Sequence, residues 1–132
     1  MAGKVVVSTL NNDTGVLATQ NGMTGIAKAW VQWTGGSTPS IGSSFNVSSV
    51  TRVSSGIFTV NFTTAMPNAT YMLAGSGAFR DGTQDANTIL AGWARQSTQT
   101  YSTSACTVQF SYYGSAGNYI DPSLAGIAFF AS

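Results

Sequence analysis

The chain has 132 residues, of which nine are charged, with no histidine, no glutamate and a net charge of +1. The 7% charged fraction lies far below the roughly 25% of ordinary soluble domains, and general acid–base catalysis and transition-metal binding lose their usual donors. No basic cluster exists to neutralise phosphates, which excludes a nucleic-acid groove, and no apolar run approaches the 18 or so residues of a membrane span.

Hydrophobic content is an ordinary 43%, so one domain with a real core is expected rather than disorder. The missing charge is replaced by Ser, Thr, Asn, Gln and Gly. A chain with so little self-repulsion suits packing in many copies. Residues 1–26 are polar and weakly patterned after Val5-Val6-Val7, and they are read as an N-terminal arm or docking segment. They hold no apolar core long enough for a secretory signal, so synthesis in a cytoplasm is expected. The β-domain is assigned to residues 27–132.

Helical periodicity is absent and strand alternation recurs. Ala27–Thr34 sets Val31 and Trp33 on one face and Trp30 on the other. Ser44–Val53 alternates Phe45 and Val47 with polar residues. Ile57–Thr63 points Phe58, Val60 and Phe62 one way and Thr59 and Asn61 the other. Strands at Tyr71–Phe79, Thr88–Ala94, Ser104–Tyr113 and Leu124–Ala131 follow. Turn-rich links at Gly35–Pro39, Ser54–Gly56 and Ala65–Asn68 separate them. With no helix to cross over a parallel sheet, seven to eight such strands predict an all-β fold, an antiparallel β-sandwich.

Cys106 lies in a strand-like run and is expected to be a small buried hydrophobe. Leu124–Ala131 is apolar on both faces. That pattern implies either a second subunit as cover or a central strand buried within one chain.

Met23–Trp33, Ser44–Thr51 and Phe58–Tyr71, with the blocks AKAWV and FTVNFTTAMPNA, resemble a small β domain of tailed-bacteriophage tail-fibre and other virion structural proteins. The likeness covers about residues 4–75. It implies a homotrimeric or otherwise multimeric virion protein at the tail or head surface, with itself and other virion proteins as partners. The motif residues read as packing. Such domains often end a longer fibre. If Met1 is the gene start, residues 1–26 must dock the domain, or its own faces must.

Candidate recognition residues lie in three later connections. Arg80, Asp81, Asp85 and Asn87 occupy the first, Arg95 and Tyr101 the second, and Tyr113, Asn118 and Tyr119 the third. Tyr and Asn make adaptable contact surfaces, and tyrosine faces with amide and carboxylate groups suit a glycan. Strand parity groups the first and third connections at one end and sets the second opposite. Asp81 and Asp85 are not read as a glycosidase pair, and Asp81–Asn87 lacks the spacing of an EF-hand loop. No catalytic residue, metal or cofactor is expected. The reading is a non-enzymatic tail-fibre or tail-tip module that recognises a host surface glycan or protein. A head-fibre or capsid-decoration protein is the alternative.

Overall fold

The computed structural model describes residues 26–78, 89–94, 101–112 and 119–131. The described residues form eight strands and no helix: β1 Ala27–Thr34, β2 Ser40–Phe45, β3 Val47–Ser54, β4 Ile57–Phe62, β5 Met72–Ala78, β6 Ile89–Trp93, β7 Ala105–Tyr112 and β8 Leu124–Phe130. Every pairing is antiparallel. The hydrogen-bonded order is β2-β1-β8-β5-β6-β7-β4-β3. Among the described residues, two partner pairs, Ser76 with Leu90 and Gly77 with Ile89, join β5 to β6. The order folds over at that thin link into two facing layers, β2-β1-β8-β5 and β6-β7-β4-β3. The expected antiparallel β-sandwich is the observed fold.

Alternation drives the layering. Ala29, Val31 and Trp33 of β1, Phe58, Val60 and Phe62 of β4, and Ala125, Ile127 and Phe129 of β8 are all buried. Two aromatic clusters bridge the layers. Trp33 meets Phe58 and Phe110 at ring-centroid distances of 5.7 and 5.6 Å. Phe129 meets Phe62 and Tyr71 at 5.0 and 5.8 Å, both edge-to-face, the arrangement favoured by ring quadrupoles. Burying one such phenylalanine stabilises the fold by about 1.5–3 kcal/mol.

One sequence expectation changes. The run read as one strand over Ser44–Val53 is broken at Asn46, which adopts φ 55°, a left-handed conformation that Asn tolerates better than most residues. Its amide donates to the carbonyls of Lys28 and Thr64 at 3.1 and 3.0 Å and accepts from the Thr64 N–H at 2.7 Å. The corner therefore separates β2 from β3, and β2 is an additional strand. In addition, β8 is a central strand, paired to β1 on one side and β5 on the other. Its inner face is covered within the chain. Its outer face, with Leu124, Gly126, Ala128 and Phe130, is only partly covered by the described residues.

Candidate functional site

The strand ends decide which connections lie together. Ala78 pairs with Leu124, and Ile89 pairs with Tyr112. The connections 79–88 and 113–118 therefore leave from one end of the sandwich. The β1–β2 and β3–β4 turns lie at that same end, because Thr34 pairs with Leu124 and Ile57 with Gln109. Connection 95–100 follows β6 and leaves from the opposite end, as strand parity predicts.

That first end is held by an ion pair. Nε of Arg52 donates to both carboxylate oxygens of Asp121 at 3.0 and 2.9 Å, and a terminal guanidinium nitrogen reaches Oδ2 at 2.8 Å. The Gly56 N–H donates to Oδ1 at 2.9 Å. Burial pushes the Asp121 carboxyl up, but the hydrogen bonds from Arg52 and Gly56 outweigh it and hold the group below its ordinary value. The hydrogen bond to Asp121 raises the Arg52 guanidinium against a smaller opposing effect of burial.

The β3–β4 turn requires glycine. Gly56 has φ +67°, and a Cβ there would lie 2.5 Å from the Ile120 nitrogen and 2.6 Å from the Phe110 oxygen. The Gly56 carbonyl accepts from the Phe110 N–H at 2.7 Å, and the Ser55 hydroxyl donates to the Tyr119 carbonyl at 3.2 Å. Residues 119–121 are thus stitched to the tip of the β3–β4 hairpin just before β8 begins.

Of the sequence candidates, Tyr101 and Tyr119 fall among the described residues. Tyr119 is half-buried, bridges to Ser111 and has its Cβ close to Gly56. Tyr101, expected in an exposed polar connection, is instead half-buried, with its ring 5.3 Å from Trp93 and its hydroxyl donating to the Ala94 carbonyl. Arg80, Asp81, Asp85, Asn87, Arg95, Tyr113 and Asn118 lie outside the described residues, as does the 1–25 segment. Sequence reasoning missed Arg52 and the role of Asp121. The scarcity of charge was the available signal, since a chain with so few ionised groups has few to spend on a structural pair.

A second feature lies on the outer face of the β2-β1-β8-β5 layer. A shallow groove of about 290 Å³ is lined by Gln32, Ser76, Ala78, Leu124 and Gly126. Trp30, Phe45 and Met72 are exposed on the same face. Register places Phe45, Trp30, Ala128 and Ala74 in one row and Phe130 beside Met72. The charged described residues are Lys28, which is buried, and the paired Arg52 and Asp121, so no described residue exposes a charge on this face.

Cys106 is buried, and desolvation pushes its thiol up to about 11. Tyr71 beside it is likewise pushed up by burial and donates to the carbonyls of Ser102 or Ala105 at 3.1 and 3.2 Å. Both groups are held neutral, which suits packing. Among the described residues, no group of three or more Cys or Asp side chains is placed to hold a metal ion. No family model, no curated protein and no solved structure matches this chain.

Proposed function

We propose that the chain is a non-enzymatic module of a tailed-phage virion, a tail-fibre or tail-tip domain that recognises the host cell surface and acts as a homotrimer. The observation that carries the recognition role is the Arg52–Asp121–Gly56 clamp. It ties the β3–β4 hairpin to the segment entering β8, at the end from which connections 79–88 and 113–118 spring. Rigid sheets that present polar loops are the usual platform for recognition. Those two connections carry Arg80, Asp81, Asp85, Asn87, Tyr113 and Asn118, side chains suited to stacking on sugar rings and bonding hydroxyls. Copies joined together supply by avidity what one shallow site lacks.

The resemblance of the AKAWV and FTVNFTTAMPNA blocks to virion domains supports the setting. The absence of histidine and glutamate supports holding over turnover. A second reading, a head-fibre or decoration subunit, is favoured by one observation: the outer face, where Trp30, Phe45 and Met72 are exposed and no described residue exposes a charge, is chemically suited to lying against a particle.

The test is binding of the purified chain to a panel of bacterial envelope polysaccharides. Saturable binding to one class, reduced by replacing Tyr113 or Asn118, is expected. No binding by folded, assembled protein overturns the recognition role and leaves the decoration reading.

A further inference from the structure

The outer face of the β2-β1-β8-β5 layer contains a glycine that the packing of the described residues does not explain. Gly126 is the third of the seven residues of β8, and its φ is not positive. A Cβ built there would meet nothing within 4 Å. Gly75, on the neighbouring strand but facing inward, is different: a Cβ there would lie 2.7 Å from the Gly126 carbonyl oxygen and 2.7 Å from Ile127 Cγ1. Glycine inside a strand weakens it through backbone entropy and lost side-chain contact. Close approach of another surface is a recognised reason for one.

Gly126 lines the groove together with Gln32, Ser76, Ala78 and Leu124. One row away along β8 is Ala128, partnered by Trp30 of β1. Trp30 is 38% exposed and Met72 67% exposed. A hole and two large apolar knobs thus share one face.

We propose that this face is where copies of the chain associate, with an exposed apolar side chain of one copy, Trp30 foremost, seated in the Gly126 notch of the next. This rests on reading the chain as an assembly subunit and names the surface that reading requires. Two observations favour a second copy as the occupant. Among the described residues no charged side chain is exposed on the face, so self-contact of these residues brings no like charges together. Knob and hole are both present on one chain, so repetition satisfies both. The face is small: four strands about 4.8 Å apart and about seven residues long at about 3.3 Å each give roughly 440 Å² of flat area. A stable interface uses about 800 Å² per partner, so contact through this face alone belongs to the weaker, reversible class, which suits subunits that also act through avidity.

The experiment is sedimentation velocity across a concentration series on the full chain and three variants, with urea midpoints measured in parallel. Gly126→Leu fills the notch, Trp30→Ser removes the knob, and Val53→Ser is the control on β3 of the other layer, at a residue 55% exposed. The wild type and the control are expected to assemble reversibly. Gly126→Leu and Trp30→Ser are expected to raise the dissociation constant by about tenfold or more, with the urea midpoint of Gly126→Leu unchanged or higher. A wild type that is monomeric throughout overturns the proposal. Gly126→Leu assembling as well as the wild type overturns this face as the interface. Binding of wild-type protein to envelope polysaccharide is scored separately, so assembly through another face leaves the recognition reading to stand on its own result.

Discussion

Arg52 and Asp121 lie 69 positions apart in the chain and meet side-on, the guanidinium spanning both carboxylate oxygens at 2.8–3.0 Å. Asp121 also accepts from the Gly56 N–H, so one carboxylate joins a strand, a turn and the segment entering another strand. Such a paired geometry orients more tightly than a lone surface contact. Its partial exposure to solvent keeps its contribution modest.

Asp121→Ala is therefore expected to destabilise the fold by about 1–2 kcal/mol, the Gly56 N–H losing its acceptor and Arg52 its partner. Chemical denaturation of the variant measures this. Stability that does not change would remove the clamp from the account.

The same carboxyl sets an acid limit. Its folded value lies below the ordinary 3.8, so its contribution is present above about that pH and lost as pH falls through the folded value. Urea midpoints measured at decreasing pH are expected to fall in the wild type, and to fall less steeply in Asp121→Asn.

Gly56→Ala meets both a left-handed backbone and a Cβ 2.5 Å from the Ile120 nitrogen. A loss of at least about 2 kcal/mol is expected, more than either the strain or the crowding alone would give. Gly126→Ala, where the added carbon meets open space, is expected to be neutral or slightly stabilising. Thermal melts of the two variants side by side check the contrast.

Cys106 is expected to resist a thiol reagent in the folded protein and to react on denaturation. Burial is the cause, raising its value from 9.0 to about 11. Because the folded state holds the proton more tightly, this contribution to stability is complete below about pH 9 and declines as pH rises towards 11. Rapid labelling of the native protein at neutral pH would contradict the buried placement.

Much of the sandwich was legible because burial on one face writes itself into alternation. The bounds of β1 over Ala27–Thr34 match the expected run, and Phe58, Val60 and Phe62 all face inward. The β2–β3 division was not legible. Ser40–Phe45 is exposed along its whole length and so carries no alternation. The corner at Asn46 is made by bonds to Lys28 and Thr64, which no local pattern records. β8 is central in its layer, but its outer face stays partly exposed, so its position within the chain accounts for only one of its two apolar faces. At the candidate site, parity placed the connections, whereas the Arg52–Asp121 contact depends on a fold-level meeting of distant segments. Tyr101 looked like a lone aromatic in a polar loop, and its packing on Trp93 arises from tertiary structure.

The most direct measurement is competition of phage adsorption to bacterial cells by the purified wild-type chain, alongside Gly126→Leu at the same subunit concentration. The account predicts that the wild type blocks adsorption saturably and that the variant, folded but dissociated, loses most of that block. Adsorption left untouched by folded, assembled wild-type protein would contradict it.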